Sequence, residues 1–486
     1  MSEAKKSMSV FTMSMITVAA VLSLRNLPTM ADYGWAIIFY IVAACICFFV
    51  PSALVSAELA STYPQDGGVY LWVKQAFGPK WGFVAIFMQW LENLPWFPAA
   101  LTFVASAIAY VFDPALATNK WFVFITILIT LWLATFLNFK GMRVSAFLSS
   151  SGVISGTIVP GVGIIVMVII YLAMGNPVRI GFHDGAALIP NLDNATQLML
   201  LAGMMVALAG MEMSSVHVTE MKNPAKTFPR AILLASFVII LLSVAGSLAI
   251  ALVVPNQQLS LAAGVCQAFS DIFTALHCEW LTPIMCFLLA YGALTMVVTW
   301  ILGPSKGVLE VAKEGYLPPY WQKRNSQDMP VRILVIQGVI SSLLSTAVLF
   351  MPTISNAFWL MSALTAQLYM VMYLFMFAAA IKLRYSQPDI VRPYKIPGGK
   401  FGIWVVSGIA WLTSVISIIV GFIPPSNVMA EGRTSIMYYI GFLFIGVGVS
   451  IALPIVAYHF YYTKKHEGSG NGTTPATPNP TPKAQA

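Results

Sequence analysis

Charge is what this sequence has least of. Only 9% of its 486 residues are Asp, Glu, Lys or Arg, against 58% hydrophobic, which excludes an ordinary soluble domain, where about a quarter of residues are charged. Polar connecting segments are equally scarce, so no aqueous domain is available for catalysis in water. Cysteine is sparse at five residues, and an odd number with no small stapled domain argues against a disulfide framework. Cys266 and Cys278 flank an expected helix outside the membrane and are the one candidate pair. Cys45, Cys47 and Cys286 fall in apolar spans, where a thiol is a small packing group. The five histidines are scattered and no HExxH occurs; His217 and Glu220 have no second cluster near them. Neither a metal centre nor a cofactor is expected.

Apolar runs long enough to cross a membrane fill the rest. A hydrocarbon core of about 30 Å takes about 20 helical residues. Such runs occur near residues 10 to 32, 35 to 60, 82 to 112, 120 to 139, 150 to 174, 196 to 218, 229 to 254, 280 to 303, 331 to 351, 357 to 381, 402 to 424 and 435 to 462. The expectation is an all-α polytopic membrane protein of twelve spans, a multi-pass protein whose first partner is the lipid bilayer. The polar start MSEAKK is too short for a cleavable signal, so the first span is expected to be retained. The tail over 463–486, including EGSGNGTTPATPNPTPKAQA, has almost no apolar residue and is expected to be disordered.

Basic residues in short loops stay on the cytoplasmic side during insertion. With residues 1–9 cytoplasmic, 22 of the 26 Lys and Arg fall in cytoplasmic loops or termini, and only Lys120, Arg179 and Arg433 fall opposite. Both termini are therefore expected in the cytoplasm and the chain in the inner, cytoplasmic membrane. The formal charge of +8 is then the footprint of insertion and points to no nucleic-acid partner.

Arg25 is the basic residue left over, inside the first span, and it has acidic counterparts in Glu92 of the third and Glu212 of the sixth. Glu92 lies ten residues past Gly82, which at 1.5 Å per residue is about 15 Å deep, near the midplane. Glu58 sits closer to a span end. A charge at mid-bilayer costs about 2.5–3.5 kcal/mol on insertion scales, so each needs a partner or a wet cavity. Two of the helices concerned also look interrupted: Pro28 removes a donor and crowds the preceding turn, predicting unwinding over Val21–Asn26, and Gly210 follows a small stretch from Ala207. Spans one and six are corresponding positions if ten helices form two five-helix repeats, residues 10–174 and 196–381, with 402–462 added. Paired broken helices at matching positions point to a secondary-transporter site.

Five segments carry a resemblance: ITVAAVLSLRNLPTMADYG, AELASTYPQDGGVYLWVKQAFGPKWGF, GMEMSSVHVTEMKNPAKTFPRA, WILGPSKGVLEVAKEGYLP and RPYKIPGGKFG. In this order they resemble the amino acid/polyamine/organocation transporter superfamily, and within it the glutamate/GABA antiporters. The resemblance implies a five-plus-five inverted-repeat fold with two added helices, alternating access, and commonly exchange. It also implies that a substrate carboxylate rests on amides near Val21, Leu22 and Ser23, with Arg25 two residues on. The amino group would rest at the break Ala207, Leu208, Ala209 and Gly210. Glu212 matches an acid of that family, and Pro64–Phe77 resembles a re-entrant segment that helps close the inner gate, turned at Gly67 and Gly68. Two departures stand out: Met296 occupies a position where acid-resistance exchangers carry a carboxylate, and the tail lacks their basic cluster.

Arg25 has two readings, a ligand for a substrate carboxylate or a structural ion-pair partner of Glu92 or Glu212. Glu212 and Glu92 are candidates for gating or proton coupling, and Trp90, Trp96, Tyr291 and Met296 for the pocket wall. No repeated pore motif favours a channel, and no nucleophile with its base favours an intramembrane enzyme. The expected function is transport of an amino acid or amine by exchange, with proton-coupled import of amino acids or polyamines as the alternative. Homo-oligomerisation is left open.

Overall fold

The computed structural model describes residues 8–31, 33–65, 67–180, 195–221, 223–254, 260, 262–424, 429 and 432–467. The regular structure among these residues is helical, apart from one isolated parallel bridge between Met8 and Met221. Helix α1 (Val10–Val21) starts at Ser9, whose side chain accepts the Thr12 amide, and stops where Leu22 turns extended. A 3₁₀ turn, Leu24–Asn26, leads into α2 (Leu27–Ala31). The second span is a rod of α3 (Ile37–Ala44) and α4 (Val50–Thr62) joined by a π turn at Cys45–Phe49. Pro51 follows that turn, which relieves the clash of its ring with the carbonyl four residues back. The fifth span repeats the device: α8 (Met142–Val153), a π turn at Ile154–Ile158, then α9 (Val159–Ala173) carrying Pro160.

Between these lie α5 (Val69–Phe77), α6 (Pro79–Phe112) and α7 (Lys120–Phe139). The second half contains α10 (Ala195–Ala207), α11 (Pro224–Val253), α12 (Gly264–Ala275), α13 (Leu281–Lys313), α14 (Val331–Ser345), α15 (Ala347–Phe350), α16 (Ile354–Ser386), α17 (Gly399–Gly421) and α18 (Arg433–Glu467). Eleven helical stretches among the described residues are long and apolar enough to span a membrane. The sixth expected span differs: its continuous apolar helix is short because α10 ends at Ala207 and a 3₁₀ stretch, Met211–Glu220, takes over. The last helix runs to Glu467, past its expected end at 462; of the expected disordered tail, residues 468–486 lie outside the described residues.

Burial sorts centre from periphery. In the most apolar stretch of α6, 78% of residues are buried, against 17% in α18, so α6 is the axis and α18 an outer helix. Large apolar side chains such as Phe237, Ile129 and Ile419 are more than 60% exposed, as expected where the surrounding solvent is lipid. Small residues bring helices into backbone contact: a Cβ on Gly156 would stand 2.3 Å from the Gly292 backbone, locking the fifth span against α13. Gln337 ties three helices together, its Oε1 accepting from Trp90 Nε1 (2.9 Å) and Ser305 Oγ (3.0 Å).

At one end of the bundle, Gly67 (φ +123°) and Gly68 (φ +48°) turn the chain into α5. Lys74 Nζ of α5 lies 2.7 Å from both Glu314 carboxylate oxygens, and Tyr70 donates to one of them at 2.7 Å. Burial and the Glu314 carboxylate push the Tyr70 phenol well above its usual range, so it stays a donor at any ordinary pH. At the same end Glu58 is buried and paired twice with Arg384, with Arg392 at 3.4 Å and the Ile396 amide at 2.8 Å. Cys266 and Cys278 are both free thiols.

Candidate functional site

The two interrupted helices meet. The first break falls at Leu22 and Ser23, both extended, so the N–H groups at the start of the following 3₁₀ turn have no acceptor within their own helix. The carbonyl of Ala20, freed at the end of α1, takes the Trp300 indole N–H at 3.2 Å. In the sixth span the amides of Leu208 and Ala209 tighten onto Met205 and Val206, and Gly210 then turns at φ +119°. A Cβ at Gly210 would stand 3.2 Å from the Ala20 carbonyl oxygen and 3.3 Å from the Trp300 ring. Glycine is thus demanded there by backbone angle and by the close approach of the two breaks.

Beside them opens a cavity of about 490 Å³. Val21, Ser23, Arg25, Ala207, Ala209, Glu92, Trp96 and Met296 line it, while Leu22, Leu208 and Gly210 lie at the breaks without facing it. Trp90 and Tyr291 are elsewhere. Trp90 sits two residues, some 200° of helix rotation, from Glu92, and its ring packs on Phe87 and Trp321. Tyr291 bonds Ser151 at 2.7 Å, on a different face of α13 from Met296 and Trp300. Trp300, Phe358 and Tyr369 complete the wall and were not picked out from the sequence. The signal for Trp300 was its spacing, one turn beyond Met296; Phe358 and Tyr369 come from α16, and nothing local marks them.

Arg25 is 8% exposed, and neither its Nε nor its Nη1 has a hydrogen-bond partner. Its guanidinium lies 5.7 Å from the Trp96 ring centre and 5.3 Å from that of Phe358. The acids have other partners. Glu92 accepts from Asn93 Nδ2 at 2.9 Å, and Glu212 accepts from Gln89 (3.0 Å), Tyr369 (2.5 Å) and Tyr373 (2.5 Å). Among the described residues, no acid forms an ion pair with Arg25. Sequence alone left that pairing open, and the structure places rings where a carboxylate was the alternative.

Glu212 stands beneath the cavity. It lines a second, smaller space of about 110 Å³ with Gln89, Gly67, Gly68 and Lys306, whereas Tyr369, which donates to it, lines the first. Tyr373 also accepts the Gly210 amide at 2.8 Å, and Phe48, presented by the π turn of the second span, packs edge-on to it at 4.9 Å. Glu212, Gln89, Tyr369 and Tyr373 therefore form a septum between two cavities, pinned directly to the break in the sixth span.

Comparison with known proteins agrees with this architecture: the amino acid permease family matches over residues 8–449. The chain belongs to that family. This permease is 41% identical over 428 residues to an uncharacterized transporter of Legionella pneumophila, covering 88% of this chain and 92% of that one. It is 31% identical over 429 residues to a glutamate/gamma-aminobutyrate antiporter of Lactococcus lactis, covering 87% and 85%. A probable agmatine/putrescine antiporter of the same species is 23% identical over 429 residues, covering 87% and 90%. The permease is thus a member of the amino acid/polyamine/organocation superfamily, with its similarity running through both broken spans.

Proposed function

We propose that this permease is a secondary transporter that exchanges amino acids or related amines across the cytoplasmic membrane by alternating access. The observation that carries the reading is the pair of broken helices adjoining at Ala20 and Gly210, beside a cavity that contains a buried guanidinium without an anionic partner among the described residues. Such a guanidinium favours a ligand carboxylate, which its planar fork can hold through two hydrogen bonds. The Leu22 amide already donates to the Val18 carbonyl, and the Gly210 carbonyl already accepts the Met213 amide. Ser23 and the start of the following 3₁₀ turn therefore offer the backbone donors at the first break, and Ala207 and Ala209, which line the cavity, offer carbonyls for an amino group at the second. Residues 10–174 and 196–381 act as the inverted repeats, and the chain has both termini in the cytoplasm. The names of relatives support the substrate class, from glutamate and gamma-aminobutyrate to agmatine and putrescine.

Glu212 serves as the gate. All three of its side-chain partners donate, so protonating it reverses one of the tyrosine bonds and leaves that hydroxyl to find another acceptor, which rearranges the septum. The same observation favours a second reading, proton-coupled import, with Glu92 facing the large cavity and Glu212 the small one. Uptake into vesicles separates the two. Exchange requires substrate on the opposite side, while symport proceeds into empty vesicles and stops with an uncoupler.

A further inference from the structure

The large cavity bends around α16. Successive residues of a helix are rotated by about 100°. Phe358, Thr365 and Tyr369 therefore share a face of α16 directed to α6, whereas Ala363, Gln367 and Met370 lie roughly 100–160° further round from Tyr369, and both sets line the same space. The second set looks toward α10, α17 and α18, which contribute Met204, Ser417 and Tyr439 to the lining. The cavity thus has a lobe outside the ten-helix core, walled mostly by apolar groups.

One buried polar atom along it lacks a partner, Gln367 Oε1; Ser362 Oγ, also without one, lies about 20° from Tyr369 on the other face of α16. Gln367 is 2% exposed, and its Nε2 donates to the Ile418 carbonyl at 3.1 Å. That bond fixes the amide orientation, since a flipped amide would set two oxygens together. The lobe therefore offers an acceptor with no donor, and Arg25 offers the complementary case, a donor with no acceptor, elsewhere in the same cavity. One molecule satisfies both if it carries a carboxylate at one end, an unbranched apolar chain, and N–H groups at the other.

We propose that the lobe between α10, α16, α17 and α18 is a subsite for the terminal amine of such a substrate, with Gln367 Oε1 accepting one of its N–H groups. This rests on the cavity being the transport site and names the class of side chain it selects. Helices α17 and α18 then take part in substrate choice, and Met370 and Ala363 pack against the aliphatic chain.

Competition for counterflow of labelled alanine in proteoliposomes tests this, with unlabelled alanine, 2,4-diaminobutyrate, ornithine, lysine and norleucine as competitors. Wild-type protein is expected to prefer ornithine and lysine over norleucine, which matches lysine in chain length but lacks the amine. In Gln367→Leu the ratio of half-inhibitory concentrations for lysine to alanine should rise about tenfold, the usual scale for a lost hydrogen bond to a charged group. Ala363→Leu, which fills the lobe without removing a polar group, should shift the ratio the same way and covers the case in which Gln367→Leu fails to fold. Norleucine competing as well as lysine, or a ratio unmoved in a variant that folds, overturns the subsite. Absence of counterflow in wild-type protein for every one of these compounds, and for glutamate and putrescine, each supplied as the labelled species, would instead overturn the transport reading beneath it.

Discussion

Arg25 is buried between two aromatic rings with no anion beside it among the described residues, an arrangement that costs free energy until a ligand supplies the missing charge. Two charge-assisted bonds to a carboxylate are worth several kcal/mol together, so Arg25→Ala should weaken binding of carboxylate-bearing substrates by roughly 100-fold or more, read by calorimetry on purified protein. Arg25→Lys retains the charge but loses the planar fork and should recover only part of the affinity. A structural pair with Glu92 would make a different forecast, since removing both charges would then restore transport. With Glu92 bonded to Asn93 instead, Arg25→Leu with Glu92→Leu is expected to remain as impaired as Arg25→Leu alone in a counterflow assay. That Arg25 and Glu92 belong together at one site was legible in the sequence, and both line the large cavity. Direction around the helix was harder to read, which is why Trp96, one turn from Glu92, joins the cavity while Trp90 faces Gln337.

Helix breaks were legible where a local rule governs them, as at Gly210, and Pro28 marked the first break correctly although the chain is extended only at Leu22 and Ser23. The π turns before Pro51 and Pro160 and the tyrosines of the septum were not, because their roles arise from contacts between distant segments: Tyr369 is 157 residues from the carboxylate it holds. Gly210→Ala forces a side chain onto a φ of +119° and should cost about 1–3 kcal/mol, seen as a lower melting temperature in detergent. The Glu58–Arg384 pair is a second element-scale test. Glu58 and Arg384 are each 4% exposed, so Arg384→Met leaves a buried carboxylate with its main partner gone and should destabilise by about 3–5 kcal/mol. Changing Glu58→Gln in that background should return part of the loss in the same melting assay, because the uncompensated charge is then removed.

At the scale of the whole molecule, composition alone determined the class of protein, and the basic residues predicted its orientation. Single cysteines in a background without the native ones should react accordingly: at Lys400 with an impermeant maleimide only from the cytoplasmic side, at Lys120 only from outside. The continuity of the large cavity past α16 toward α17 and α18 had no sequence signal, since it depends on how three helices leave space between them. Counterflow of a labelled amino acid into proteoliposomes, run with wild-type protein and Arg25→Ala side by side, tests the central claim most directly. The prediction is saturable accumulation by the wild type only when unlabelled substrate is inside, and none by a folded Arg25→Ala variant. Equal accumulation by both proteins, or flux that ignores the internal substrate and does not saturate, would contradict it.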